Sequence, residues 1–163
     1  MSWPSSRRSR GASKTVELYR IQADPIDVGL YLPGLADPTC GGQAVFLGVV
    51  RSDFEGRPST GLEYEAYVPL AEKTMALIGA ELREEFGVRH VIMVHRVGRL
   101  NVGETAVLVA VSAPHRREAL AACRAGIDRL KARVPIFKRE LWADGSAQWH
   151  GEPDGPAAQL PRA

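Results

Sequence analysis

Apolar residues recur along this chain in two periods, and the switches between them mark out the elements. Val16–Gln22 (VELYRIQ) alternates and predicts a strand. Gln43–Val50 (QAVFLGVV) is apolar almost throughout, which predicts a buried strand ending at Arg51. Gly61–Tyr67 sets Leu62, Tyr64 and Ala66 against Glu63, Glu65 and Tyr67, the pattern of a half-exposed strand. His90–Val97 and Thr105–Ser112 read as two more strands, the second of them buried, and a short strand is expected around Gln148 and Trp149.

Two stretches change to helical spacing. Ala71, Met75, Ile78, Leu82 and Phe86 share one face between Pro69, suited to a first helical turn, and a stop at Gly87. Leu120, Cys123, Ile127, Leu130 and Val134, spaced 3, 4, 3 and 4, give a second amphipathic stripe that opens near Pro114 and ends before Pro135. Between these elements, residues 23–42 are dense in Pro and Gly and predict a short helical turn with loops. Ser52–Gly61 reads as a polar loop and Gly98–Glu104 as a turn. The order β, β, β, α, β, β, α, β describes one α+β domain with helices packed on mainly antiparallel strands. The expected organisation is a disordered basic leader over residues 1–14, a domain over 15–150 and a flexible tail over 151–163.

At 163 residues, 45% apolar and 25% charged, the chain has material for one buried core. No apolar run reaches the length of a membrane span, and the start MSWPSSRRSRGASK lacks the apolar segment of a secretory signal. Cys40 and Cys123 have no partnering pattern, which fits a reduced, cytoplasmic protein. The net charge of +2 is unevenly placed. Residues 1–14 carry Arg7, Arg8, Arg10 and Lys14 and no acid, leaving 17 basic against 19 acidic residues and a net −2 in the rest. Yet His115–Glu140 holds eight Lys or Arg against three acids, a local excess that suits a small anion better than a long polyanion.

That excess is densest in LKARVPIFKRE (Leu130–Glu140), where Lys131 and Arg133 precede Pro135 and Lys138 and Arg139 follow it. Proline ends the helix, so Lys131 lies in a last turn and Lys138 on an extended segment, and both can face one pocket. Solvated cations at a helix C-terminus are the bland alternative. His115 and Arg116 open the same helix, where free amides attract anions. Arg51 stands where a strand meets a loop. One objection is geometric: His115 and Lys131 are separated by about 24 Å of helix. The four histidines are scattered and no CxxC occurs, so no metal site is expected. Neither a nucleotide-binding glycine motif nor a Gly-x-Ser-x-Gly elbow is present.

The stretches AVFLGVVR, EYEAYVPLAEK, VHRVGRLNVGE, VSAPHRREAL and IDRLKARVPIFKRE, in that order over roughly Val16–Trp149, resemble the large, catalytic subunit of molybdopterin synthase. Phe137 stands where tryptophan is more usual, and Val49 where many members carry a polar or basic residue. The resemblance implies an α/β-hammerhead fold in a homodimer. Each protomer would bind a small ubiquitin-like subunit, giving a heterotetramer. The partner's thiocarboxylated C-terminus would pass sulfur, twice, to cyclic pyranopterin monophosphate, with no cofactor.

Carried over residue by residue, the pocket comprises Phe46, Val49, Val50, Arg51, His115, Arg116, Lys131, Lys138, Arg139 and Glu140. Lys131 and Lys138 are the expected catalytic residues, with Arg51, His115 and Arg116 on the phosphate and pterin. Both reactants are anions, so fixed cations are needed to bring them together. Crowding by Lys138 and Arg139 is expected to lower the pKa of Lys131. A nucleic-acid module is disfavoured, since the three central strands offer only Phe46 for stacking. A scaffold that binds a ubiquitin-like protein without reacting is disfavoured by the presence of both lysines.

Overall fold

A computed structural model describes residues 14–150 of the chain. The expected tail, and the expected leader except Lys14, lie outside the described residues. The elements run β1 (Glu17–Gln22), α1 (Val28–Tyr31), a 3₁₀ turn (Leu32–Leu35), β2 (Gly42–Val49), β3 (Asp53–Phe54), β4 (Arg57–Ala66), α2 (Val68–Phe86), β5 (His90–Arg96), β6 (Gly98–Asn101), β7 (Thr105–Ala113), α3 (Arg116–Arg133), β8 (Ile136–Trp142) and β9 (Ala147–His150). This is an α+β fold. One sheet has the order β1-β5-β7-β2 and is antiparallel except for the β1–β5 pair. The other has the order β3-β4-β8-β9, with β6 also on β4, and is antiparallel throughout.

The helices α2 and α3 cover one face of the first sheet. Met75, Ile78 and Leu82 from α2, and Ala122, Cys123, Ile127 and Leu130 from α3, close over Met93, Val107, Val109 and Val111. Ile26 and Leu35 cover the opposite face over Ile92, Val94, Leu108 and Ala110. So β5 and β7 are buried on both sides, as their apolar runs require. Helix α2 stops at Gly87, whose left-handed φ of 67° is open to glycine without a Cβ penalty. Inside α2, Gly79 is required by close approach: a Cβ there would sit 1.8 Å from the Tyr19 hydroxyl oxygen. The same burial pushes the Tyr19 phenol up to about 12.

Several expectations change. The strand β2 is not buried: it is the sheet edge, paired only with β7, and Val45, Phe46, Leu47 and Val49 are exposed. The stretch read as a polar loop folds into the β3–β4 hairpin, turning at Glu55 (φ 50°) and Gly56 (φ 80°), so β4 starts at Arg57. Part of the expected 98–104 turn is β6, pairing Leu100 with Leu62. The stripe of α3 runs through Ala119, Ala122, Cys123, Gly126, Ile127 and Leu130, whereas Leu120 is 63% exposed. A 3-4 spacing admits either neighbour at its start, and the shorter alanine is the one that fits against the sheet.

Candidate active site

Helix α3 ends because Val134 takes an extended conformation (φ −79°, ψ 128°) ahead of Pro135, and the chain enters β8 directly. That abrupt stop sets Lys131 and Lys138 around one cleft of about 120 Å³, lined also by Val49, Arg51, Asp53, Phe54, Leu62, Tyr64 and Glu140. The register of β4 against β8 explains the lining. Tyr64 lies directly opposite Lys138 and Leu62 opposite Glu140, so these four side chains share one face. Glu140 is only 4% exposed. The Lys138 ammonium stands 5.4 Å from the centre of the Phe54 ring, a cation–π contact that ties the β3–β4 hairpin to the cleft.

Arg139 points the other way. It lies opposite Glu63 on the reverse face, forms an ion pair with it, and stacks over Trp149 at 5.3 Å. The crowding of Lys131 expected from Arg139 therefore has no basis in this arrangement. Arg133 is likewise engaged elsewhere: it binds Glu81 of α2 at 2.7 Å, and that hydrogen bond holds the Glu81 carboxyl below its usual range. Val50 is buried against Leu100 and Ala106 rather than in the cleft. Its amide donates to the Glu104 carbonyl at 3.0 Å and its carbonyl accepts from the Gly103 amide at 2.8 Å, which fixes the backbone just before Arg51.

Phe46 lies within β2, 37% exposed and away from the cleft lining. The nearby Cys123 thiol is pushed up to about 11 by burial, a poor nucleophile. His115 is the N-cap of α3 and Arg116 its first residue; both are exposed, at the opposite end of the helix from Lys131. Within one chain, the structure brings together Val49, Arg51, Lys131, Lys138 and Glu140, and places Phe46, Val50, His115, Arg116 and Arg139 outside that cleft.

Asp53, Phe54, Leu62 and Tyr64 were not among the residues expected from sequence, and neither was His95 behind them. The alternation of Leu62 and Tyr64 was visible, but only pairing with β8 shows what that face lines. His95 is buried, with its ring edge against Tyr64 at a centroid distance of 4.9 Å. Its Nδ1–H donates to the Arg96 carbonyl at 2.7 Å. Burial lowers its pKa to about 4, the positive charge of Lys131 adds to that, and the Arg96 hydrogen bond opposes it. The imidazole is therefore neutral near pH 7 with its proton on Nδ1. Among the described residues, no group of three or more His, Cys, Asp or Glu side chains is arranged to hold a metal ion. No helix among them is long and apolar enough to cross a membrane.

Basic residues gathered where a helix C-terminus meets a strand give this mixed sheet-and-helix domain a cleft suited to small anions. Residues 21–133 match the family model described as MoaE protein, and the chain belongs to that family. It is 44% identical over 137 residues to the molybdopterin synthase catalytic subunit of Staphylococcus carnosus, covering 84% of this chain and 91% of that protein. It is also 44% identical over 129 residues to the Drosophila willistoni protein of that name, covering 78% of this chain but 35% of that longer one. The crystal structure of molybdopterin synthase from Staphylococcus aureus superposes with a TM-score of 0.77 at 41% identity, covering 82% of this chain and 97% of that one. A protein–protein complex of subunits 1 and 2 of molybdopterin-converting factor from Helicobacter pylori shares the fold, with a TM-score of 0.69 at 23% identity over 85% of this chain and 93% of that one. The chain is accordingly an enzyme of molybdopterin formation, a sulfurtransferase subunit.

Proposed function

We propose that the cleft between α3 and the β4–β8 sheet is where sulfur passes from the thiocarboxylated C-terminus of a small ubiquitin-like partner to cyclic pyranopterin monophosphate. The observation that carries this reading is the convergence of Arg51 from the β2–β3 connection, Lys131 from α3 and Lys138 from β8 on one small cleft. Two anionic reactants repel each other, and fixed cations in a partly enclosed site offset that repulsion without reorganising as the reaction proceeds. Arg51 offers a forked donor to the phosphate. Lys131 stands at the thiocarboxylate carbon, where it stabilises developing negative charge. Lys138, held over Phe54, supplies the second cation, and Glu140 accepts hydrogen bonds from the pterin.

The protein acts as a homodimer carrying one small partner on each protomer, in the cytoplasm. The β2 edge supports the pairing of protomers: Val45, Leu47 and Val49 are large apolar side chains left exposed on a strand with one free edge. A dimer also answers the helix-length objection. His115 and Arg116 lie about 22–24 Å along the helix from Lys131 of their own chain, so they serve the pterin phosphate only in the cleft of the other protomer. Both cysteines are free thiols, consistent with a reducing compartment.

The test is to co-purify the chain with the thiocarboxylated small partner and add cyclic pyranopterin monophosphate. Formation of the dithiolene product supports the assignment. A stable complex that transfers no sulfur would sink it. Sedimentation of the chain alone, and of a Leu47→Asp variant, tests the dimer separately.

A further inference from the structure

His95 sits behind the cleft rather than in it. It is the sixth residue of β5, and its side chain lies on the face covered by α2 and α3, as do those of Val91 and Met93. Its surroundings are unusual for a buried histidine at a strand end. The Nδ1–H is committed to the Arg96 carbonyl at 2.7 Å, which leaves the lone pair on Nε2. The ring edge meets Tyr64, a cleft-lining side chain, at 4.9 Å and an interplanar angle of 77°. The positive charge of Lys131, on α3, lies close enough to oppose protonation of the ring.

Two charged groups on the elements packed around His95 have other partners. On its own strand, Arg96 reaches Ala23 and Glu104. On α2, Glu72 accepts from the amide of Ile21, the β1 residue two strand positions from Tyr19. The partner of His95 on β7 is the apolar Val107. Lys131 is thus the cation that His95 faces, and Tyr64 is the ring it braces.

We propose that His95 is a positioning residue of the sulfur-transfer site, its neutral Nε2 accepting from the Lys131 ammonium while its ring edge fixes Tyr64, so that the lysine is aimed into the cleft. This rests on the function proposed above. A lysine side chain carries four rotatable bonds and prefers water, so an ammonium meant to act at one carbon needs an acceptor behind it. A carboxylate there would neutralise the charge the reaction needs. A neutral imidazole orients the ammonium and leaves its charge intact. Burial keeps the ring neutral near pH 7.

The competing reading is that His95 only fills space, and the two readings separate by substitution. His95→Phe keeps the ring and its packing on Tyr64 but removes the acceptor. His95→Gln places an amide oxygen or nitrogen near the Nε2 position and loses the ring. With the dimer and small partner assembled, His95→Phe is expected to lower kcat about 10-fold or more with KM for the pterin within about twofold, and His95→Gln to recover kcat to within about threefold of wild type. Wild-type kcat in His95→Phe, or equal losses in both variants, overturns the proposal.

A second measurement needs neither turnover nor a folded His95 variant. In ¹⁵N NMR of the wild-type chain at pH 7, His95 should show the Nδ1–H tautomer with an Nε2 resonance shifted by hydrogen bonding. Lys131→Met should move that resonance toward an unbonded acceptor. An Nε2 resonance indifferent to Lys131→Met overturns the proposal. If instead the resonance moves but the wild-type assembly transfers no sulfur, the arrangement stands and the reaction assigned to the cleft is what fails.

Discussion

The sheet β1-β5-β7-β2 and the sheet built on β4 and β8 deal with polar groups in opposite ways. In the first, the buried His90 is answered at both ring nitrogens within the fold, while the Ser112 hydroxyl on β7 is buried without a hydrogen-bond partner. His90 accepts the Val16 amide at Nδ1, 2.8 Å, so its Nε2–H is donated to Asp37 at 3.1 Å; Asp37 in turn accepts from Thr39. That cluster ties the start of β1 and the segment after the 3₁₀ turn to β5. In the second sheet, one face holds the closed pair Glu63–Arg139, while the other presents Lys138 and Glu140 to an opening shared with Lys131 and Arg51. Strand β5 passes between the two regimes, with His90 at its first residue and His95 near its last. Burial alone therefore does not say what a histidine does; the groups at its two nitrogens do.

Substitutions should therefore separate into those that cost activity and those that cost stability. The largest effect expected is on turnover. Lys131→Ala should lower sulfur transfer about 10³-fold, because a fixed charge at the reacting carbon acts chiefly on the transition state. Its melting temperature and its affinity for the small partner should be nearly unchanged, since a broad surface supplies that affinity. An assay of turnover beside calorimetric binding checks both halves. Met93→Ala, in the doubly covered sheet, should do the reverse. It removes a fully buried side chain from between β5 and the covering helices and should cost about 3–4 kcal/mol in denaturant unfolding. The protein that remains folded should keep its kcat.

The pH dependence of stability sharpens the contrast further. His95 has a folded pKa of about 4, below the roughly 6.5 of an unfolded histidine. Between those values the unfolded chain binds more protons, so stability rises with pH. The contribution is complete above about pH 6.5 and is lost as pH falls through about 4, on the order of 3 kcal/mol. Unfolding free energies measured from pH 4 to 7 should show this slope in the wild type and a shallower one in His95→Phe. A smaller effect is expected at Arg51. Arg51→Ala should weaken pterin binding about 10-fold and leave partner binding alone; an equal loss for both would give Arg51 a structural part. The smallest effect belongs to Arg133→Ala, which breaks a half-exposed pair with Glu81. It should cost under about 1 kcal/mol of stability with turnover intact, and a marked loss of turnover would mean that the wrong face of α3 has been assigned to the cleft.

Much of this was readable from residue pattern. The stripe Ala71, Met75, Ile78 and Leu82 placed α2, and a proline between two basic pairs allowed Lys131 and Lys138 to face one pocket, although that segment alone favoured a solvated helix end and the resemblance supplied the site. The failures have physical causes. An apolar run such as QAVFLGVV cannot distinguish a central strand from an edge strand, because it reports side-chain character and not the number of neighbouring strands. Arg139 entered the expected pocket beside Lys138 through the resemblance, although adjacent residues of a strand face opposite sides; the alternation was there to be used once β8 was read as a strand. Asp53 and Phe54 sat in a segment whose polarity and glycine read as a loop, and a two-residue strand leaves no periodic trace. For His95 no local signal exists, since its significance comes from Tyr64 and Lys131, 31 and 36 positions away.

The direct passage from the last turn of α3 into β8 has a consequence for how this sequence can change over time. Only Val134, Pro135, Ile136 and Phe137 separate Arg133 at the helix end from Lys138. One residue gained or lost there would exchange the two faces of the strand, setting a neighbour in the cleft and turning the lysine toward Glu63. Composition, net charge and the helix would all survive such an indel, and the chemistry would not. Descendants of this chain should therefore vary the identity of the residues in that short connection far more freely than their number, so that its length is inherited as strictly as the lysines themselves.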